Sequence, residues 1–272
     1  MSNNTPHAGP IRPDAHEAPL PAVEFVQSLD RGLSVLRSFS REHPAQTLSD
    51  TARLTGLSRA SARRFLHTLE ALGYVRSDGR VFELTPKVLD LGYAYVSSLH
   101  LSDIAQPFME SLSETVHESV SAAVLDGADI VYVARVPTKR IMSISISIGS
   151  RLPALVSSMG RVLLGQHSEA ELRALIAAHP VPVWSEHTKT DPDAIVRAIG
   201  EGHRNGWVLL DQELEEGVRS VAAPLRDRLG RTIAALNCST HAGRVTLSEL
   251  RNNILPELLS TAEQINEQLA KR

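Results

Sequence analysis

The sequence predicts an α+β protein of two folded parts, and three observations carry that prediction. Residues 49–81 read as two helices joined by a glycine turn and followed by a short basic hairpin. Residues 102–272 read as a helix, a run of mainly antiparallel strands and further helices. Ahead of both, residues 1–24 hold Pro6, Pro10, Pro13, Pro19 and Pro21 among few large apolar side chains, which predicts a disordered tail. At 272 residues the chain is long enough for two cores, and 42% apolar with 22% charged residues suits globular domains. One cysteine, Cys238, excludes an intramolecular disulfide and a multi-thiolate metal site, and fits a reducing cytoplasm. No apolar run approaches the ~20 residues that span a bilayer, and no signal-peptide core opens the chain.

The first domain is expected over 25–85. A helix from about Ser28 places Leu29, Leu33, Leu36 and Phe39 on one face, with Arg31 near its start able to reach a phosphate or simply face solvent. The next helix ends in Ala52-x-x-x-Gly56-Leu57, where Gly56 can take the left-handed backbone of a sharp turn. Ser58 caps the following helix by accepting from the N–H of Ala60 or Ser61. At 100° per residue that helix puts Ala62, Phe65, Leu66, Leu69 and Leu72 on one side. Arg59, Ala60, Arg63, Arg64 and His67 fall on the other, beside Ser61. Between Thr51 and Arg80 stand six arginines (53, 59, 63, 64, 76 and 80) against Glu70 and Asp78, in a chain of formal charge −3. Basic charge gathered in one segment of an acidic chain is the footprint of a nucleic-acid-reading surface. Two β-prone runs around Asp78-Gly79 make a hairpin with Arg76 and Arg80 flanking its tip, so the motif is a winged helix–turn–helix. A winged domain serving only as a protein contact or spacer is the alternative.

A connecting helix is expected over 86–101, opened by Pro86. Its run Val88-Leu89-Asp90-Leu91-Gly92-Tyr93-Ala94-Tyr95-Val96 carries more apolar surface than a solvated linker, and a second copy of the chain is the simplest cover. The second domain, 102–272, begins with an amphipathic helix over 103–118. Strands at 119–125 and 130–136 flank the turn 126–129. A third strand is expected over 141–148, with Met142, Ile144, Ile146 and Ile148 on one face and Ser143, Ser145 and Ser147 on the other. Helices at 157–165, 168–178 and 191–205 follow, then strands at 207–210, 218–224 and 231–238, and a closing helix over 248–270.

Several segments taken in order resemble one family. These are Ser28-Leu29-Asp30-Arg31-Gly32-Leu33, Leu84-Thr85-Pro86, Ser158-Met159-Gly160-Arg161-Val162-Leu163-Leu164, and the run from Asp211 to Pro224, DQELEEGVRSVAAP. Together they resemble the IclR family of bacterial transcription regulators over nearly the whole chain from Phe25. Asp129 to Pro137, with Arg140-Ile141-Met142, Gly92 to Tyr95, Ile104 to Pro107 and Ala235-Leu236-Asn237, is similar to the subgroup controlling aromatic-acid breakdown through protocatechuate and β-ketoadipate. The resemblance implies a GAF-like effector-binding second domain, operator DNA as partner, and a homodimer or dimer of dimers. It implies a pocket lined by Ser158 and Met159 in the loop before the helix, Asp211 and Ser220, Asn237 and Ser239, with Ile141, Ile144 and Leu152 as its apolar wall. A slip of one residue would put Leu210 in place of Asp211, and many relatives carry cysteine where Ser220 stands.

Hydroxyls and an amide beside aliphatic walls suit a small organic acid such as protocatechuate, 4-hydroxybenzoate or β-ketoadipate. The acid needs a cation or convergent donors, and as cations Arg135, Arg151 and Arg219 are equal candidates. Ordinary strand packing is the alternative for each single position. No G-x-S-x-G, G-x-x-x-x-G-K-[ST], H-E-x-x-H or C-x-x-C occurs, and the histidines lack ligand spacing, so neither cofactor nor metal is expected. Glu213, Glu215 and Glu216 read as a solvated acidic loop, and Cys238 as a small buried residue. The expected function is a cytoplasmic, non-enzymatic DNA-binding regulator that contacts DNA through Ser58, Arg59, Ala60, Ser61, Arg63, Arg64, His67, Arg76 and Arg80. An enzyme of small aromatic or keto acids bearing a winged domain is the alternative.

Overall fold

The computed structural model describes residues 25–92, 101–138 and 146–271. The chain divides into two compact units, Met1–Ala94 and Tyr95–Arg272.

In the first unit, helix α1 (Gln27–Ser38) is followed by strand β1 (Ala45–Gln46), α2 (Leu48–Thr55) and α3 (Arg59–Ala71). Strands β2 (Val75–Ser77) and β3 (Phe82–Leu84) complete it. Its sheet has the antiparallel order β1-β3-β2, so the wing rests on a strand that periodicity could not show in two residues. Gln46 explains that strand. Its side chain is buried, donates to the carbonyl of Ser38 (2.7 Å) and accepts from Thr51 Oγ1 (3.0 Å), tying α1, β1 and α2 together. Thr47 and Asp50 cap α2 reciprocally, and Gly56 closes it at φ 68°. Val35, Leu66, Leu69, Val75 and Phe82 form the core. The apolar face expected on α1 is only half used. Val35 is buried, but Leu29 and Leu33 are 61% and 42% exposed, because no described residue of this unit covers that face of the first two turns. Leu72, expected among the core residues, lies past the end of α3 and is exposed. The connecting segment opens as a 3₁₀ turn at Pro86–Val88 and is α-helical over 89–92. Lys87 donates to the carbonyl of Leu72 (2.9 Å), supplying a cation where α3 leaves unpaired carbonyls.

In the second unit, helix α4 (Leu101–Val116) leads into β4 (Ser119–Asp126), β5 (Asp129–Val136) and β6 (Arg151–Pro153). Helices α5 (Ser158–Leu164), α6 (Glu169–Ala178) and α7 (Pro192–Asn205) come next. Strands β7 (Val208–Asp211), β8 (Val218–Arg226) and β9 (Thr232–His241) then precede the closing helix α8 (Leu255–Ala270), which enters through a π-turn at Leu250–Ile254. The strands form one antiparallel sheet in the order β6-β5-β4-β9-β8-β7. Most of the strand expected over 141–148 lies outside the described residues. Its described end is not strand: Gly149 turns the chain at φ 86°, and the edge strand forms at Arg151–Pro153, pairing Leu152 with Ile130.

Each face of the sheet packs on helices, so two apolar layers result. Val120, Ala122, Val221, Leu236 and Cys238 meet α4 and α8. Ala123, Ile130, Tyr132, Ala222 and Ala235 meet α5 and α7. Helix α5 lies close against the turn before it; a Cβ at Gly160 would overlap the Ala154 carbonyl, so only glycine fits there. Among the described residues no helix is long and apolar enough to cross a membrane.

Candidate functional sites: a cationic helix face and a buried polar row

The first site is the outer face of α3. Ser58 accepts from the N–H of Ser61 (3.2 Å) and donates to its hydroxyl (3.0 Å), which fixes where the helix begins. Arg59, Ala60, Arg63, Arg64 and His67 are all exposed, while Ala62 and Leu66 are fully buried. Among the described residues the guanidinium groups of Arg59, Arg63 and Arg64 form no hydrogen bond or salt bridge. Three uncompensated cations on one face keep their full field for an anionic partner. The two arginines of the wing differ. Arg76 is paired with Glu83 across β2 and β3 (2.6 and 3.0 Å), whereas the Arg80 guanidinium at the tip makes no such bond. Asp78 shapes that tip by accepting from the N–H groups of Arg80 (2.8 Å) and Val81 (2.9 Å); these bonds hold its carboxyl below the usual carboxylate range. His67 is engaged as well, bonded to Glu70 (3.1 Å) and standing edge-on to Phe82.

The second site lies on the sheet face that meets α5. Side chains alternate along a strand, so the register tells which residues share that face. One row runs Arg135, Ser121, Asn237, Ala222 across β5, β4, β9 and β8; the next runs Ser119, Ser239, Ser220, Leu210. The end of this face is therefore polar where its middle, Ala123, Ala235 and Tyr132, is apolar. Asn237 is 3% exposed; it donates to Ser239 Oγ (3.0 Å), and its Oδ1 is buried without a partner. A buried acceptor left unpaired costs about 1–3 kcal/mol, which a bound donor would recover. Arg135 donates to Ser121 Oγ (3.1 Å) and, among the described residues, meets no carboxylate. Burial lowers its pKa, with Tyr132 beside it acting in the opposite sense. Burial likewise pushes the Tyr132 phenol up to about 12, so it remains a neutral donor at neutral pH.

This geometry sorts the three cations that sequence left equal. Arg151 is bound to Asp126 (2.7 Å) and Asp129 (3.2 Å), and Arg219 to Asp211 (2.6 Å), whereas Arg135 has no acidic partner among the described residues. Leu152, Ser158, Met159, Ser220, Asn237 and Ser239 are brought to this region or its apolar layer. Ser158 and Met159 stand in the first turn of α5 rather than in a loop, because the Ser157 hydroxyl caps the helix one residue earlier. Asp211 is placed elsewhere. The strand register pairs Ser220 with Leu210, so Asp211 points to the opposite face and is held by Arg219. Ile141 and Ile144 lie outside the described residues.

Glu213 corrects the reading of an acidic surface loop. It is 2% exposed and forms a bidentate pair with the equally buried Arg161 (2.7 and 3.0 Å), joined by Lys189 Nζ. Arg161 Nε donates to the carbonyl of Leu155 (2.8 Å), so one ion pair ties α5, its entry turn and the β7–β8 loop together. Cys238 is fully buried on the α4–α8 side of the sheet, where burial first and Glu118 second raise its thiol pKa far out of the reactive range.

Comparison with known proteins places these features. The model of the IclR helix-turn-helix domain matches residues 28–79, and that of the bacterial transcriptional regulator IclR C-terminal domain matches residues 93–267. The chain is 43% identical over 247 residues to the Pca regulon regulatory protein of Pseudomonas putida, covering 90% of this chain and 85% of that protein. It is similar to the crystal structure of a transcriptional regulator from Rhodococcus sp. RHA1, at 51% identity and a TM-score of 0.83 over 91% of this chain and 99% of that one. It is also similar to an IclR homolog from Microbacterium hydrocarbonoxydans complexed with 4-hydroxybenzoate. There the identity is 26% and the TM-score 0.81, over 90% of this chain and 100% of that one. Matched across both units and carrying exposed, unpaired arginines on the second helix of its helix–turn–helix, the chain belongs to the IclR family of bacterial transcriptional regulators.

Proposed function

We propose that this regulator controls genes of aromatic-acid catabolism and answers to a small aromatic acid held on the polar end of the sheet in its second unit. The observation that carries the proposal is Arg135, a half-buried guanidinium that donates to Ser121 Oγ and meets no carboxylate among the described residues. A cation kept in that state favours an anion entering from solvent. The 4-hydroxybenzoate complex of a structural neighbour and the Pca regulator among the relatives support the same class of ligand. The effector set is protocatechuate, 4-hydroxybenzoate or β-ketoadipate, with Leu152, Met159 and Leu210 as apolar wall.

At the other end of the chain, Arg59, Arg63, Arg64 and Arg80 contact operator DNA, with Ser58, Ala60 and Ser61 allowing close approach. Arg76 is already engaged by Glu83 within the wing and His67 by Glu70 along α3, and both play the smaller part. The chain works in the cytoplasm as a homodimer or a dimer of dimers, in which the exposed Leu29, Leu33, Leu89 and Leu91 find cover. It senses its acid and returns it unchanged.

Isothermal calorimetry of the purified chain with the three acids tests the reading. Saturable binding of at least one acid is expected, with the acid recovered intact; silence to all three contradicts the effector assignment, and turnover of any of them contradicts the non-enzymatic role.

A further inference from the structure

The segment that leaves the winged unit is clasped to the end of its DNA-facing helix by three hydrogen bonds. We infer that Thr85 and Lys87 are positioning residues for operator recognition. They hold α3 at a fixed angle to the connecting helix, and so set the spacing between half-sites that a dimer accepts. The inference rests on the homodimer proposed above, in which a second copy covers the exposed Leu89 and Leu91.

Helix α3 ends in a Schellman turn. Gly73 adopts φ 80° and its N–H donates to the carbonyl of Glu70 (2.9 Å), while the N–H of Tyr74 donates to that of Leu69 (2.9 Å). The carbonyls of Leu72, Gly73 and Tyr74 are then all taken by two residues of the exit segment. Lys87 Nζ donates to Leu72 (2.9 Å), Thr85 Oγ1 to Gly73 (2.6 Å) and the Thr85 N–H to Tyr74 (2.9 Å). Lys87 Nζ also stands over the Tyr74 ring, 5.2 Å from its centre. The Thr85 hydroxyl accepts from the N–H of Lys87 (3.3 Å), so the two positions brace each other. Water would satisfy any one of these carbonyls; three bonds from one short segment fix a direction as well. No hinge separates the clasp from the connecting helix. Pro86 holds its own φ, residues 86–88 form a 3₁₀ turn, and the α-helix of 89–92 follows without a break. A rotation of that helix therefore turns α3 with it. Two half-sites gripped by one dimer make a bivalent contact, whose gain is lost when geometry forbids both at once. One base pair inserted between them moves the second half-site by ~3.4 Å and turns it by roughly 35° about the duplex. A clasped α3 cannot follow that turn, whereas a loosened one can.

Fluorescence anisotropy of the full chain reads this on duplexes carrying its operator with one base pair added or removed between the half-sites. The wild type is compared with Thr85→Val, with Thr85→Val/Lys87→Met and with Thr85→Ser. The wild type is expected to lose at least about tenfold in affinity on either change of spacing. Thr85→Val should shrink that penalty and the double variant bring it within about threefold, chiefly by weakening binding at the native spacing. Thr85→Ser keeps the hydroxyl and should restore the wild-type penalty. A lysine that only touched a phosphate would, on removal, lower affinity equally at every spacing and the salt slope by about 0.9. That result overturns the inference, as does a wild type indifferent to spacing or a penalty unchanged in both variants; each leaves the homodimer standing. A chain that sediments as a monomer, and binds one half-site as tightly as the whole operator, overturns the homodimer reading and the inference with it. Thr85→Val, which alters neither charge nor branching, decides the matter should the double variant fail to fold.

Discussion

Replacing Glu213 with glutamine is expected to destabilise the second unit by about 3–5 kcal/mol, because it strands the Arg161 guanidinium in the interior without a counter-charge. Arg161 and Glu213 are 1% and 2% exposed and share two hydrogen bonds, so water cannot take over the missing partner. For a unit of this size the loss corresponds to a fall in melting temperature of roughly 10 °C. The neighbouring Glu216, which is exposed, serves as the control, and its change to glutamine should stay within about 0.5 kcal/mol of wild type. The same pair fixes a pH dependence. Burial raises the Glu213 pKa, but the hydrogen bond and charge of Arg161, reinforced by Lys189, outweigh it and leave the group below its ordinary value of 4.5. A carboxylate depressed in the folded state contributes stability that is present above the unfolded pKa and disappears as pH falls through the lower folded one. Thermal melts should therefore show the full gap between wild type and variant at pH 7, narrowing below about pH 4. A gap that persists unchanged at pH 3, or no gap at pH 7, contradicts this account of the pair.

The second large effect is expected at the DNA-facing helix. Changing Arg59, Arg63 and Arg64 together to alanine should leave the melting temperature close to that of the wild type, since these exposed groups hold nothing in place. Binding to the chain's operator should nonetheless weaken by at least about a hundredfold, taking roughly 1–3 kcal/mol for each arginine that reads a base. Fluorescence anisotropy over a range of salt separates the roles within the trio. An arginine on a phosphate lowers the slope of log K against log salt by about 0.9 when removed, and one on a guanine edge relaxes sequence preference instead. Undiminished operator binding by the triple variant would remove α3 from the interface.

The helix–turn–helix was legible because its signals are local. A glycine turn, a serine cap and a 3.6-residue period fall within two dozen residues, and α3 buries Ala62, Leu66 and Leu69 as that period requires. Five strands of the second unit's sheet were legible, with the turn 227–230 joining β8 to β9, but the edge strand Arg151–Pro153 was not, since three residues carry no period. What sequence hid are the pairings between distant residues. Arg161 stands in a run that reads as an apolar helix, and nothing local announces a carboxylate 52 residues away. Its partner sits among three glutamates whose composition suggests solvent. Arg135, Arg151 and Arg219 look alike until Asp126, Asp129 and Asp211 claim two of them. Asp211 and Leu210 stayed open as alternatives, since a slip of one residue in a strand turns a side chain to the opposite face, and the register pairs Leu210 with Ser220. Leu29 and Leu33 show the converse: an apolar period marks a face that must be covered, without saying that this unit covers it.

The proposed function requires one coupling, between an acid at Arg135 and the grip of α3 on DNA. An effector shifts that grip only if it binds the two DNA states of the protein unequally. Operator affinity of the full chain, measured by anisotropy with and without saturating 4-hydroxybenzoate in wild type and in Arg135→Gln, tests it most directly. The predicted result is a shift of about 5- to 150-fold in the wild type that falls away in the variant at the same concentration of acid. An operator affinity indifferent to the acid in the wild type, or an equal shift in the variant, would contradict it.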